Sequence, residues 1–403
     1  MDFDLSPEQL DLVERGAAAG REWRGFAEKW DHENHAPLGA VTERMGELGF
    51  LGITMPVEYG GQGKSNLEYV LAVEAILRAA TTWVAAEPLF RTSGAGPTIC
   101  LMSNNAAARE KFLPEITSGR AGCTIGITEP DHGSDMSSLE TSAVRGEGGS
   151  WIINGKKKFI TGAMEDSYYA TFVRFDGIAG AKGVGAIMTE KGMAGFSMNR
   201  GPDFVGSRGV PHGELEFNDC RVPAENLLFG PGEFAQLMSA FNMERLHNGA
   251  SSLGSAWAAF DLALEYAQVR RQFDREIIEF QAIYHEFADM YVQLEAARGL
   301  MYKAATSSGG GKYPQALDVT VAKYFANQVM YDVSAKAVTI FGGEGTSMEN
   351  PTQRIHRDSL VCRIAGGAPH VIRNTIASQL VPHIRLSQRR PAPAEPVSAV
   401  TGN

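Results

Sequence analysis

The chain has 403 residues, 44% of them hydrophobic and 21% charged, with a net charge of −10. That length predicts two or three packed units rather than one core. Acidic and basic residues are interspersed without a basic stripe, which excludes a general nucleic-acid-binding surface. Four scattered cysteines (Cys100, Cys123, Cys220, Cys362) form no CxxC pair, so neither a zinc site nor a disulfide framework is expected. The N-terminal MDFDLSPEQL has no basic, then apolar leader. No apolar run reaches the roughly 18 residues of a membrane span. A soluble, reducing, cytoplasmic setting is the expectation, with no metal, no nucleic acid and no membrane partner.

Up to about Gly119 the signals are helical. Ser65 and Glu68 stand at capping-box spacing, and Leu67, Val70, Leu71, Ile76 and Leu77 fall on one face of the helix they open. In this section EYGGQGKS has Glu58 where a phosphate-binding loop needs glycine, so it reads as a turn. HENH (His32 to His35) reads as a charged surface segment rather than a metal pair. From about Cys123 to Phe229 the pattern becomes β, with Asn154-Gly155 the strongest two-residue hairpin signal. From about Gly232 helical periodicity returns. Leu253, Trp257, Phe260 and Leu264 form one stripe; Ile277, Phe280, Tyr284, Phe287, Tyr291 and Leu294 form another. SSGGGKYP (Ser307 to Pro314) predicts a helix-to-helix loop, and the Pro- and Ala-rich end after Leu386 predicts a disordered tail. There is no internal repeat, no G-x-G-x-x-G after a strand and no G-x-S-x-G elbow.

Five blocks carry a more specific signal. They are ITEPDHGSD (Ile127 to Asp135), WIINGKKKFITG (Trp151 to Gly162), MERLHNGA (Met243 to Ala250), YAQVRRQFD (Tyr266 to Asp274) with FQAIYHEFADM (Phe280 to Met290), and FGGEGTSMENPTQRIHRD (Phe341 to Asp358). In this order and spacing they resemble the acyl-CoA dehydrogenase family over nearly the whole chain. MPVEYGGQG and FNDCRVPAENLLFG look like further family features. The resemblance implies a multi-domain α+β fold: an N-terminal all-α domain (1–121), a central antiparallel β-barrel domain (122–231) and a C-terminal four-helix bundle (232–387), followed by a disordered tail (388–403). It also implies non-covalent FAD between barrel and bundle, an acyl-CoA substrate, electron-transferring flavoprotein as electron acceptor, and a homotetramer or dimer of dimers.

Carried over residue by residue, the resemblance puts Ile127, Thr128, Ile160 and Thr161 against the isoalloxazine and Phe159 over its face. Gly133 and Ser134 form a turn whose backbone N–H groups suit the pyrophosphate. Arg270 matches an arginine that in relatives reaches a neighbouring subunit's FAD, Phe273, Gln281 and Thr339 match further FAD-contact positions, and Gly342 and Gly343 permit close backbone approach to the adenine side. Thr339 stands where the family often has Gln, Asp274 where it often has Gly, and His370 where it often has Gln or Glu.

The family often places its catalytic glutamate near the end of the last helical region, where this chain reads Ala365-Gly366-Gly367. A second family solution is a glutamate on the first bundle helix, immediately before an arginine, as in isovaleryl-CoA dehydrogenases. Met243-Glu244-Arg245-Leu246 matches it, so Glu244 is the expected base. Such a base must be held close to the α-proton in a dry pocket, where desolvation raises its pKa. Arg245, Ser134 and Gly366 are expected to line the substrate, the small residues at 365 to 367 leaving room for a branched or bulky acyl group. Arg91, in AAEPLFRTSG, either clamps a distal carboxylate or sulfinate or pairs with Glu87 one turn away. Alternatives on the same scaffold are a carrier-protein-bound acyl dehydrogenase, a sulfinate-eliminating desulfinase, a flavin monooxygenase and a non-catalytic partner subunit.

Overall fold

The computed structural model describes residues 4–307 and 314–382. Residues 308–313 of the expected loop, the last residues of the expected bundle domain and the expected tail therefore lie outside the described residues.

Seven helices come first: α1 (Pro7–Arg24), α2 (Ala27–Glu33), α3 (Leu38–Glu47), α4 (Asn66–Ala80), α5 (Glu87–Ser93), α6 (Ala95–Met102) and α7 (Ala106–Thr117). Capping boxes start two of them. Ser6 and Gln9 close a capping box on α1, and Ser65 and Glu68 close the expected one on α4. α4 does not show one buried face: Tyr69 through Leu77 are all buried. It is sandwiched between α1 and a C-terminal helix. A Cβ on Gly20 would collide with the Ile76 carbonyl, and glycine there lets the α1 and α4 backbones touch.

Eight strands follow: β1 (Cys123–Gly126), β2 (Ser142–Arg145), β3 (Trp151–Thr161), β4 (Tyr168–Phe175), β5 (Val184–Glu190), β6 (Phe196–Arg200), β7 (His212–Val222) and β8 (Leu227–Phe229). Their order is β6-β7-β3-β2-β4-β5-β8, with β1 beside β4. The expected antiparallel barrel is therefore corrected on two counts. The sheet is open, and β1 and β2 both run parallel to β4, sharing one of its edges between them. One face packs on helices, with Phe172, Ala186 and Met188 sharing a core with Ile99 of α6 and Phe112 of α7, while the other curls over a core of its own, where Tyr169 of β4 meets Phe196 of β6.

Asn154-Gly155 is not a hairpin turn. Both residues lie inside β3 at a shift of register between Ile153 and Gly155. The positive φ that such a pair favours is used by a bulge: Gly155 has φ 144°, and the Asn154 side chain is bonded both ways to Asp219, at 3.0 and 2.8 Å. A second irregularity, between Lys157 and Ile160, puts Phe159 at φ 62°.

The C-terminal part comprises α8 (Phe234–Val269), a tight hairpin of β9 (Arg271–Gln272) and β10 (Arg275–Glu276), then α9 (Gln281–Thr306), α10 (Ala316–Phe341), α11 (Pro351–Cys362) and α12 (Pro369–Leu380). The hairpin's two turn residues, Phe273 and Asp274, both have positive φ. The first stripe is buried at Leu253, Trp257 and Phe260. In the second, Phe287 and Leu294 are buried, while Tyr284 and Tyr291 remain 44% and 51% exposed. α4 and the long helices share one core, with Val73 and Ile76 packed among Leu246, Leu253 and Met330. Among the described residues no helix is long and apolar enough to cross a membrane.

Candidate active site

A cavity of about 620 Å³ opens where the N-terminal helices, the sheet and α8 meet. The sheet side contributes Ile127, Thr128, Phe159, Ile160 and Thr161, with Gly133 and Ser134 at its edge. α8 contributes Glu244, Arg245, His247 and Asn248; the turn before α12 contributes Ala365, Gly366 and Gly367; α5 and the turn before it contribute Trp83, Glu87 and Phe90.

Glu244 sits in this wall between Met243 and Arg245, both buried, so that its carboxyl faces the cavity. Its Oε2 is shielded and has no hydrogen-bond partner. Burial pushes its pKa up to about 7, against the opposing pull of the Lys323 ammonium and then the Arg245 guanidinium. Those two cations are committed to the neighbouring turn. Lys323 Nζ donates to Gly367 O at 2.9 Å and Arg245 Nε to Gly366 O at 3.5 Å; Arg245 Nη1 also donates to Asn242 Oδ1 at 3.1 Å. Gly366 has φ 67°, and a Cβ added there would stand 3.2 Å from Glu244 Cγ. A side chain at 366 and the Glu244 carboxyl thus compete for the same space. A shielded carboxyl that titrates near neutrality is suited to proton abstraction.

The segment carrying Thr128 is fixed from below. Lys157, fully buried, donates to Ile127 O at 3.1 Å and to Glu129 Oε1 at 2.8 Å. Glu129 also accepts the backbone N–H groups of Glu140 and Thr141, and Lys158 N donates to Thr128 O at 2.7 Å. The tight turn of this segment centres on Pro130-Asp131, with Glu129 and His132 exchanging backbone bonds. Gly133 and Ser134 follow it on exposed chain, with open space where a Gly133 Cβ would stand. Thr161 Oγ1 and His212 Nδ1 are 3.3 Å apart, and His212 Nε2 is buried at the cavity without a partner. Burial pushes the His212 pKa down to about 4, keeping the ring neutral. Phe159, 44% exposed for so large an apolar ring, borders the same wall. An apolar face with an unpartnered ring nitrogen and a threonine hydroxyl fits a flat heteroaromatic group such as a flavin. The open edge at Gly133 leaves room for a phosphate-bearing extension.

The remaining expected flavin residues do not reach the cavity. Arg270, Phe273, Gln281, Thr339, Gly342 and Gly343 are exposed at the far end of the long helices. There the Tyr266 and Phe341 rings stack at 4.2 Å and tie α8 to α10.

Arg91 requires a correction. It is buried and does not line the cavity; it is ion-paired with Asp166 and donates to Thr42 Oγ1 at 3.2 Å. In place of either expected arrangement, Arg91 lies off the cavity wall, and its hydrogen-bonding partners are Asp166 and Thr42 rather than Glu87. Sequence reasoning also missed Glu87 as a cavity residue, Lys157 with Glu129, His212, and Lys323 beside the base. Glu87 and Lys323 were marked only by charge within apolar segments, whereas Lys157, one of three consecutive lysines, and Glu129 and His212, in polar stretches, carried no local signal. Among the described residues no group of three His, Cys, Asp or Glu is placed to hold a metal ion.

Helices, sheet and helices around one shielded cavity, with a near-neutral carboxyl facing a wall that fits a flavin, define a scaffold for proton removal away from bulk water. Family models for the acyl-CoA dehydrogenase N-terminal, middle and C-terminal domains match residues 7–120, 124–220 and 234–381. The chain is 33% identical to glutaryl-CoA dehydrogenase of Desulfococcus multivorans, over 94% of this chain and 97% of that protein. It is also 33% identical to mitochondrial isovaleryl-CoA dehydrogenase of Oryza sativa subsp. japonica, over 87% and 85% respectively. The solved structure of butyryl-CoA dehydrogenase from Megasphaera elsdenii superposes with a TM-score of 0.89 at 34% identity, covering 94% of this chain and all of that one (100%). The chain belongs to the acyl-CoA dehydrogenase family.

Proposed function

We propose that this protein is a flavin-dependent acyl-CoA dehydrogenase that introduces an α,β double bond, with Glu244 taking the α-proton. The observation that carries the assignment is the Glu244 carboxyl: turned into the cavity, shielded, short of a partner and pushed up to about 7. FAD, held at Ile127, Thr128, Phe159, Ile160 and Thr161 and along Gly133 and Ser134, supplies the acceptor for the β-hydride when bound. The chain's own residues do the rest. Lys323 and Arg245 hold the Gly366 and Gly367 carbonyls so that the turn clears Glu244, and their charges favour its carboxylate form. Gly366 leaves the base its space, and Ala365 and Gly367 widen the wall where a branched acyl group would lie. Lys157 and Glu129 fix the Thr128 segment against that wall.

A base in place disfavours a non-catalytic subunit and a desulfinase that needs no proton acceptor. A carrier-protein thioester and a monooxygenase have no feature of this cavity in their favour. Exposed Val269, Phe273, Tyr284, Tyr291 and Val292 lie on the elements that carry Arg270 and Gln281. An apolar surface there supports a homotetramer, or dimer of dimers, in which Arg270, Phe273, Gln281, Thr339, Gly342 and Gly343 complete a neighbour's cofactor site. Electron-transferring flavoprotein is the proposed oxidant, and the cytoplasm the proposed location. Anaerobic titration of FAD-loaded protein with a panel of acyl-CoAs tests the function. Loss of the oxidised flavin spectrum with at least one thioester is expected; an unchanged spectrum with short, long, branched and acidic members would contradict it.

A further inference from the structure

The cavity has a second carboxyl that the dehydrogenation does not use. Glu87 opens α5, is only 5% exposed and lines the cavity beside Trp83 and Phe90. Its side chain makes no hydrogen bond to any described residue. The other polar groups of that wall are committed. His247 is bonded through Nδ1 to Tyr69 Oη at 2.8 Å and through Nε2 to Ser251 Oγ at 3.3 Å. Asn248 donates to Cys362 O and accepts from Asn327, and Trp83 Nε1 donates to Ser255 Oγ. Arg91, the cation that acts on Glu87 among the described residues, is spent on Asp166 and Thr42. Glu87 is therefore a buried polar group facing a substrate cavity without a protein hydrogen-bond partner, an arrangement that is costly when a ligand displaces water there without replacing its hydrogen bonds.

We propose that Glu87 sets acyl-group specificity, its carboxyl hydrogen-bonding an uncharged oxygen, hydroxyl or keto, on the part of the acyl chain that reaches the α5 wall. The inference rests on the acyl-CoA dehydrogenase reading above. Burial and then the negative charge of Asp166 outweigh the pull of Arg91 and, with a smaller push from Glu244, raise Glu87 to about 8. At neutral pH it is a neutral acid, able to donate to a keto oxygen and to accept from a hydroxyl. A plain hydrocarbon chain would leave it unsatisfied. A distal carboxylate would meet a cavity whose nearby unpaired groups, Glu87 and Glu244, are both acids.

The test uses the FAD-loaded wild-type protein with a straight-chain acyl-CoA and its analogues bearing a hydroxyl, a keto group or a carboxylate near the chain end. Anaerobic flavin bleaching gives kcat/KM for each. A preference of about tenfold or more for the hydroxyl or keto analogue over the plain chain is expected, since a site built around a polar group penalises ligands that leave it unpaired. Glu87→Gln should keep most of that preference, and Glu87→Leu should abolish it and favour the plain chain. Wild-type preference for the plain or the carboxylate analogue would overturn the proposal, as would an unchanged ratio in Glu87→Leu. Because the wild-type ratio alone decides, the proposal stands or falls even if a variant fails to fold. Bleaching by no thioester at all would instead contradict the dehydrogenase reading, and this inference with it.

Discussion

Replacing Arg91 by Met separates a structural role from a substrate role. The Arg91 and Asp166 side chains are 8% and 0% exposed; the pair is made through Asp166 Oδ1, and Oδ2 has no hydrogen-bond partner among the described residues. Even beside Arg91, burial pushes Asp166 up to about 6 from its ordinary 3.8. Removing the cation leaves a buried carboxylate uncompensated, a loss of about 3–5 kcal/mol. At about 2.1 cal/mol/K per residue, 403 residues unfolding together give about 0.85 kcal/mol/K, so the loss is about 4–6 °C in Tm. The sign with pH follows from the raised folded-state value. The folded form binds the Asp166 proton more tightly than the unfolded chain, and in the variant more tightly still. At pH 5 the acid is neutral in both proteins and most of the penalty disappears; at pH 8 protonation of the lone acid limits it to about 2.7 kcal/mol, the low end of that range. Thermal unfolding of wild type and Arg91→Met at both pH values measures the difference. An unchanged Tm at pH 8, together with lost activity on acidic acyl-CoAs alone, would refute the reasoning and return Arg91 to the substrate.

Three further outcomes are expected. Because Glu244 works deprotonated, kcat/KM should fall about tenfold per pH unit below about 7. The groups that face it are Arg245, Lys323 of α10 and, across the cavity, Glu87 and Tyr69; Lys323→Met, removing the largest downward pull, should move the break to higher pH. Gly366→Ala must place a Cβ 3.2 Å from Glu244 Cγ at φ 67°. A backbone cost of about 1–2 kcal/mol should show as a lowered Tm, and the displaced base as at least tenfold slower flavin bleaching. Phe273→Asp, at a position 86% exposed, should lower the oligomeric state in light scattering and reduce retained FAD; an unchanged mass and FAD content would remove this surface from the proposed interface.

What the sequence disclosed was mostly local or carried by spaced motifs. The Ser65 and Glu68 cap lies within one turn, and it formed as written. The motif pair of Glu244 and Gly366 stands 122 positions apart in the chain and proved adjacent in space. Long-range choices were not legible. Asn154-Gly155 states a preference for positive φ, which a bulge satisfies as well as a turn, and only the partner strand β7 decides between them. Arg91 has an acid one turn away, yet its partner is 75 residues distant. Alternation along β1 and β2 cannot report that both run parallel to β4 and leave the sheet open. Apolar periodicity in α9 marks a face without saying what covers it, which is why Tyr284 and Tyr291 joined a stripe that this chain leaves half uncovered. Glu87 went unnoticed in the cavity because its isolation is set by α8 and the sheet, not by its neighbours in sequence.

The most direct test of the central claim is stopped-flow anaerobic flavin reduction by Glu244→Gln. The substitution keeps the side chain's size beside Gly366 and removes its capacity to take a proton. The variant should fold, retain FAD and still bind thioester, seen as a perturbed flavin spectrum, while reduction falls at least a thousandfold. Reduction at a rate near that of the wild type would show that another group removes the α-proton.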